Sequence, residues 1–143
     1  MSPKDKRFVI QKHTRGKDVH WDLMLELGGV LQTYRLDKAP EKVLHKAVNA
    51  TRIFDHPLKF LTYQGPVNKG KGTIRMAEAG TYQILHQQLN RIELRLNGKI
   101  LQGKFILVHT EGDKWQFTAP PPSRGQARTR TSGCQSDSAK LFL

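Results

Sequence analysis

A strict alternation of apolar and polar residues is the feature that most limits how this chain folds. In residues 20–27, HWDLMLEL, apolar side chains occupy every second position from Trp21, while His20, Asp22 and Glu26 lie between them. Because successive side chains of a β-strand point to opposite faces, the pattern predicts a strand with one face in the core. The other face then carries the side chains capable of chemistry.

A glycine pair predicts a tight hairpin directly after this strand. Gly28 and Gly29 tolerate the positive φ angles that two-residue hairpin turns require, and a second strand-like run follows at 30–36. With a turn of two residues, Asp22 lies opposite Arg35 on the neighbouring strand.

The rest of the chain continues this short-strand pattern, with one exception. Residues 40–50 begin with a proline and place Val43, Leu44, Ala47 and Val48 on a stripe, which predicts one short helix. Strand-like runs are expected at 7–13, 57–63, 73–78, 81–87, 91–96, 104–109 and 115–117. We therefore predict a mainly β fold, a small antiparallel β-barrel of about seven or eight strands with one short helix, because closure leaves no long edge exposed.

Length and charge limit the organisation and the partners. The 143 residues fit one domain. We predict a globular domain at 1–118 and a disordered, basic Pro/Ser/Arg-rich tail at 119–143. The chain carries 24 Lys and Arg against 12 Asp and Glu, a formal charge of +12. Since the tail holds only four basic residues and one acidic residue, the domain itself is basic, which favours a polyanionic partner.

Several protein classes are disfavoured by what the sequence lacks. Cys134 is the single cysteine, so a disulfide framework is excluded. No apolar run approaches the roughly 20 residues that span a bilayer, and the N-terminus has no apolar signal core. We expect a cytoplasmic, monomeric protein that is nucleoid-associated if bacterial.

Two histidines and an aspartate form the strongest candidate site. His20 and Asp22 are two residues apart on one strand face, and His13 ends the preceding strand-like run. Two imidazoles and one carboxylate with open positions suit Mn²⁺, Zn²⁺ or Fe²⁺ better than Mg²⁺ or Ca²⁺. The alternative is an ordinary solvated His-x-Asp pair on an exposed strand.

Other residues add to this candidate site. His56 follows an acidic residue and is suited to bind phosphate or act as a general acid. Lys38 precedes the predicted helix, where anions bind favourably. The loop from Gly65 to Gly72, with Lys69 and Lys71, either approaches a phosphate backbone or simply marks a hairpin.

An ordered series of motifs resembles the 3′-phosphoesterase domain of bacterial DNA ligase D. The resemblance spans nearly all of residues 7–117. It rests on FVIQKH at 8–13, HWDL at 20–23, LE at 25–26, GVL at 29–31, Lys38, DHPL at 55–58, QG at 64–65, LQGKFILV at 101–108 and Trp115.

The resemblance implies a small β-barrel enzyme that uses Mn²⁺ to trim 3′ ends during break repair. It implies that His13, His20 and Asp22 hold the metal and that His56 contacts the scissile phosphate. Catalytic or substrate-binding roles are implied for Lys38, Gln11 and Glu26. The basic residue that the family carries before its second histidine motif falls on Arg52 or on Lys46.

Two departures from the family concern the phosphate clamp. Met24 stands where the family has arginine, and Phe60 stands where it has tyrosine. In the predicted hairpin register Arg35 lies diagonal to Met24, about 7–8 Å away and within reach of an arginine. Our hypothesis is that Arg35, as a catalytic residue, replaces the missing guanidinium. The alternative is an ordinary cross-strand ion pair between Asp22 and Arg35.

The sequence thus predicts a metal-dependent phosphoesterase that removes a 3′-phosphate or 3′-ribonucleotide from DNA or RNA/DNA ends. A separate DNA ligase or other end-joining factors would be its partners. A catalytically impaired barrel that binds nucleic acid or a repair complex is the main alternative. A non-haem iron oxygenase built on the same three ligands is a further one, disfavoured by the absence of a recognisable co-substrate site.

Overall fold

The computed structural model describes residues 6–120, and nine strands account for most of them. Two short 3₁₀ helices, Pro40–Leu44 and Leu58–Leu61, complete the regular structure. The strands are β1 (Lys6–Arg15), β2 (Asp18–Leu27), β3 (Val30–Leu36), β4 (Val48–His56), β5 (Gly65–Val67), β6 (Gly72–Gln88), β7 (Arg91–Asn97), β8 (Gln102–Glu111) and β9 (Lys114–Thr118).

Eight of these strands close into an antiparallel barrel. Their order is β1-β2-β3-β4-β9-β8-β7-β6, and pairing between β6 and β1 closes the ring, while β5 adds to the free side of β6. Closure pairs backbone groups that an open sheet would leave at its edges. The predicted fold class, a small antiparallel β-barrel, is confirmed.

The barrel interior holds the main hydrophobic core, which confirms the alternation read from the sequence. Leu23 and Leu25 on β2 are almost fully buried there, together with apolar residues from seven other strands and from the first 3₁₀ helix. Burying each such side chain stabilises the fold by about 1.5–3 kcal/mol. The face of β2 that carries Leu23 and Leu25 therefore packs inside the barrel.

A second, smaller apolar cluster lies on the opposite face of the first three strands. Val9, Met24 and Leu31 form it with Leu61 of the second 3₁₀ helix, and Phe60 packs against it. This segment therefore covers part of the outer wall of the barrel and defines the edge of the surface that remains open.

The helix predicted at 40–50 is wrong. Only Pro40–Leu44 is helical, as a single 3₁₀ segment, and β4 begins at Val48. Val43 packs into the core, and beyond it Val48 and Ala50 alternate inwards along a strand. The apolar residues of the predicted stripe therefore belong to two elements, the 3₁₀ helix and the start of β4. Hydrogen bonds to neighbouring strands stabilise β4 in place of an α-helix.

Two further strand predictions need correction. Residues 57–63 form no strand, because Pro57 leads into the second 3₁₀ helix. The runs at 73–78 and 81–87 belong to one continuous strand, β6. Gly80 lies within this strand at a point where the carbonyl of Asn97 approaches so closely that a Cβ atom would clash.

A buried carboxylate fixes the turn between β7 and β8. Glu78 is 3% exposed and accepts hydrogen bonds from the backbone N–H groups of Lys99, Ile100 and Leu101 at 2.7–2.9 Å. A fourth bond comes from the N–H of Ala79 at 3.0 Å. These charge-assisted bonds replace the water that burial removes from the carboxylate.

The domain prediction is only partly covered by the described residues. Ala119 packs against the core, so ordered packing continues at least one residue past the predicted boundary at 118. The tail prediction for 119–143 otherwise lies outside the described residues. Within residues 6–120, no helix is long and apolar enough to cross a membrane.

Candidate metal centre and adjoining cleft

The hairpin of β1 and β2 brings the three predicted ligands together. The chain turns at Gly16, whose φ of 59° suits a tight turn, and His13 then lies directly opposite His20. Asp22 follows two residues later on the same face of β2. The ligand triad is thus built from one local hairpin.

The donor atoms of the triad converge on one point. His13 Nδ1 lies 3.0 Å from His20 Nε2, which lies 3.6 Å from Asp22 Oδ2, and the three donor atoms fall within 4.8 Å of one another. Around an ion with ligand bonds of about 2.1 Å, neighbouring donors lie roughly 3.0–3.4 Å apart. The His13–His20 separation matches this range and the His20–Asp22 separation slightly exceeds it, so a small side-chain movement would let the triad hold one divalent ion with open coordination positions.

Contacts on its other side hold the His13 ring in place, and burial affects its protonation. Its Nε2 atom is buried and has no hydrogen-bond partner within residues 6–120. Gly72 packs against that nitrogen so closely that a Cβ atom there would lie 2.9 Å from it. Burial, followed by the nearby His20, lowers the pKa of His13 from its usual value. A lowered pKa favours the neutral imidazole, which is the form that binds metal.

A bulge in β4 presents His56 to the same side of the barrel. Thr33 pairs with Ile53 but Leu31 pairs with His56, so β4 contains an extra residue at this point. Bulges commonly redirect a side chain in this way next to functional sites. His56 joins His13 and His20 in the wall of one cleft, whose volume is about 620 Å³.

A buried threonine sets the orientation of His56. The Thr33 hydroxyl donates to the carbonyl of Leu31 at 3.0 Å, so its oxygen accepts a hydrogen bond from Nδ1–H of His56 at 2.8 Å. Nε2 is then the unprotonated nitrogen of the neutral ring. Burial is the largest effect on His56 and lowers its pKa, which favours that neutral form.

Aromatic rings enclose His56 on two sides. Phe54 stacks on its face, with ring centroids 4.7 Å apart and an angle of 20° between the planes. Phe60 meets it edge to face, with centroids 5.8 Å apart. Phe60 thus keeps the packing role of an aromatic ring at this position while offering no hydroxyl to the cleft.

Arg35 lies where the predicted hairpin register places it. It pairs with Asp22 across β2 and β3, and its Nε lies 3.5 Å from Asp22 Oδ1. Arg35 and Met24 both line the cleft, but the Arg35 side chain is 43% exposed whereas Met24 is buried in the small apolar cluster. Within residues 6–120, Arg35 is therefore the arginine or lysine that forms an ion pair with Asp22.

Two predicted substrate-binding residues are engaged within the fold. Gln11 is fully buried, and its amide donates to the carbonyls of Phe60 and Tyr63 at 2.6 and 3.2 Å. Arg52 donates to the Ile53 carbonyl and to Asp55, and its guanidinium lies over the ring of Tyr34. Gln11 thus ties the 57–64 segment over the outer wall.

The other two predicted contacts lie away from the cleft. Glu26, near the far end of β2, accepts a hydrogen bond from the backbone N–H of Arg7. Lys38 is exposed between β3 and the first 3₁₀ helix and is not among the residues lining the cleft. That helix spans only five residues, so the helix-terminus argument for anion binding at Lys38 does not apply.

The glycine-rich loop is a hairpin. Asn68, Lys69 and Gly70 have positive φ angles and join β5 to β6. Val67 and Asn68 reach the cleft wall.

The sequence patterns did not reveal Thr33, Phe54 or Gly72 as parts of the site, because their roles depend on the β4 bulge and on contact between β1 and β6.

The tautomer of His56 provides a direct test of this geometry. Thr33→Val removes the acceptor for Nδ1–H, whereas Thr33→Ser retains it. We expect long-range ¹⁵N–¹H NMR to show the Nδ1–H tautomer in the wild type and in Thr33→Ser, with its population reduced in Thr33→Val. Urea unfolding should show Thr33→Val less stable by about 1–3 kcal/mol, since two hydrogen bonds of about 0.5–1.5 kcal/mol each are lost. An unchanged tautomer in Thr33→Val would contradict the assignment.

Comparisons with known proteins identify the family to which this chain belongs. Residues 11–109 match the DNA Ligase D 3′-phosphoesterase domain family. The multifunctional non-homologous end joining DNA repair protein LigD of Mycobacterium tuberculosis is 31% identical over 118 residues, covering 76% of this chain and 15% of that protein. The corresponding LigD of Pseudomonas aeruginosa is 28% identical over 135 residues, covering 86% of this chain and 16% of that protein. This chain therefore matches only a small part of these relatives, and it belongs to the DNA ligase D 3′-phosphoesterase domain family.

Proposed function

We propose that this protein is a metal-dependent phosphoesterase that removes a 3′-phosphate or a 3′-ribonucleotide from DNA ends. The observation that carries the proposal is the convergence of His13, His20 and Asp22 on one point, beside a cleft lined by the two histidines together with His56 and Arg35. The +12 charge of the chain favours a polyanionic substrate. Membership of the 3′-phosphoesterase domain family also supports the proposal. So does the similarity to relatives whose names include non-homologous end joining.

The triad would hold a divalent ion, with Mn²⁺ favoured and Zn²⁺ or another transition metal as alternatives. Two imidazole nitrogens and one carboxylate oxygen suit such ions, and they leave positions open for water and phosphate oxygen. When bound, the ion supplies charge that polarises the phosphorus–oxygen bond. The protein's contribution is to fix the donors in advance through the β1–β2 hairpin.

His56 would stabilise charge on the phosphoryl group. A bound phosphate opposes the effect of burial on the His56 pKa, because a nearby negative charge favours the imidazolium. In that state Nδ1–H still donates to Thr33, and Nε2–H is free to donate to a phosphate or leaving-group oxygen. Thr33 would thus orient the His56 ring so that its Nε2–H donates to the phosphate.

Arg35 would act as the phosphate clamp in place of the arginine that the family carries at the position of Met24. Its guanidinium is half-exposed in the cleft, and only Nε contacts Asp22, at 3.5 Å. An arginine has five N–H donors, so contact with a carboxylate through Nε is compatible with binding phosphate through the terminal nitrogens.

A catalytically impaired protein that binds DNA ends or a repair complex is the second candidate. It is favoured by one observation: the clamp position is occupied by the buried Met24, and Phe60 lacks the tyrosine hydroxyl. Partner proteins such as a separate ligase belong to either version of the proposal.

The proposed activity is tested with a primer–template strand that ends in a 3′-phosphate and with one that ends in a ribonucleotide. We expect product with Mn²⁺ and none with EDTA. Asp22→Asn should lower kcat/KM by about 100-fold or more, because it removes a charged ligand. Asp113→Asn, an exposed change in the β8–β9 turn, serves as the matched control. Tight binding of DNA without product would instead favour the impaired module.

The role of Arg35 is tested by measuring KM and metal affinity separately. We expect Arg35→Ala to lower kcat/KM by roughly 10–100-fold on 3′-phosphate ends, the loss associated with one charge-assisted hydrogen bond, with Mn²⁺ affinity little changed. Arg95→Ala, exposed on β7, is the control. Weakened Mn²⁺ binding with unchanged KM would show that Arg35 is only the ion-pair partner of Asp22.

A further inference from the structure

Phe54 is an exposed aromatic residue at the rim of the metal-centre cleft. Its side chain is 73% exposed, although phenylalanine is ordinarily a core residue. It lies within the bulged part of β4, next to His56, and it lines the cleft together with His20 and Arg35. No role for it follows from the barrel core or from the metal triad.

The ring is held by its neighbour and open on its other side. Phe54 stacks almost parallel to His56, with the centroids 4.7 Å apart, and the high exposure of its side chain leaves the remaining surface free. Because His56 is itself in contact with Phe60 and Thr33, the ring beneath Phe54 is fixed. Phe54 thus rests with one face on a fixed ring and presents its other face to solvent.

Nucleic acid recognition commonly uses aromatic platforms of this kind. Bases of single-stranded or frayed ends stack on exposed aromatic rings, and every base can do so because each has a π face. If the phosphate meets His56, the base of the same nucleotide lies one sugar away, and Phe54, which stacks on His56, is the exposed aromatic residue that lines the cleft. We infer that Phe54 is a stacking platform for the terminal base of the nucleic-acid end, an inference that rests on the proposed function.

Exposure alone does not make an apolar side chain a stacking platform, and a second exposed apolar residue of this chain provides the comparison. Leu89 is even more exposed, at 90%, but it lies in the turn between β6 and β7 and does not line the cleft. A single exposed apolar side chain of that kind needs no ligand. Leu89→Ala is therefore a matched control for removing apolar surface.

The test uses the full chain with Mn²⁺ and a primer–template whose last base is 2-aminopurine and whose 3′-phosphate is replaced by a non-hydrolysable methylenephosphonate, so that the phosphoryl group is present but is not released. We expect binding to quench the fluorescence of the base in the wild type, in Phe54→Trp and in Leu89→Ala. In Phe54→Ala the quenching should be lost, and the Kd should rise roughly 5–100-fold, as for loss of one stacked base. Circular dichroism checks that the variant folds.

A second strand, identical except for an abasic terminal nucleotide, separates stacking from an indirect effect through His56. We expect the wild type and Phe54→Ala to bind this strand equally well. An equal loss on both strands, or unchanged quenching in Phe54→Ala, would overturn the inference while leaving the proposed function intact. Failure of the wild type to bind either strand would contradict both.

Discussion

The double pairing of β1 is the interaction on which the rest of this structure depends. One edge of β1 pairs with β2 in a local hairpin, and the other pairs with β6, a strand about 60 residues further along the chain. The second pairing closes the barrel and completes the core. It also brings Gly72, at the start of β6, against the ring of His13. Fold closure and ligand placement are thus consequences of the same strand.

The two faces of the β1–β2–β3 sheet have separate physical roles. The inner face supplies core side chains such as Phe8 and Leu23, whose burial stabilises the barrel. The outer face carries the triad and is partly covered by the segment after β4, which the buried amide of Gln11 ties down through two carbonyls. The chemistry therefore lies on a rigid wall, where donor atoms are fixed before any ligand arrives.

Local patterns made the hairpins and the triad predictable. The alternation at 20–27 and the glycine pair determined the face of each side chain and the register of Asp22 against Arg35, which is confirmed. The helix at 40–50 failed because apolar residues of a turn and of an inward-facing strand happened to share a helical spacing. The pairing of β4 with β3 and with β9 decides between helix and strand here. Since β9 lies about 60 residues further along the chain, the local pattern does not contain that information.

The parts of the site that the sequence concealed depend on irregular backbone. The bulge in β4 lets Thr33 orient His56 and leaves Phe54 exposed at the rim, and neither consequence follows from a regular two-residue period. Conversely, the resemblance assigns substrate roles to Gln11 and to either Arg52 or Lys46, and the structure uses the side chains of Gln11 and Arg52 in internal hydrogen bonds. For these two residues, the internal hydrogen bonds explain the side chain without any contact to substrate.

The central claim is that one divalent ion is held by two imidazoles and one carboxylate of a single hairpin. Pulsed electron paramagnetic resonance of the Mn²⁺-loaded protein tests this claim most directly, because it detects nitrogen atoms bonded to the ion. We predict one tightly bound Mn²⁺ per chain, coupled to two histidine nitrogens in the wild type and to one in His20→Ala. A spectrum of free hydrated Mn²⁺, or bound Mn²⁺ without nitrogen coupling, would contradict the account.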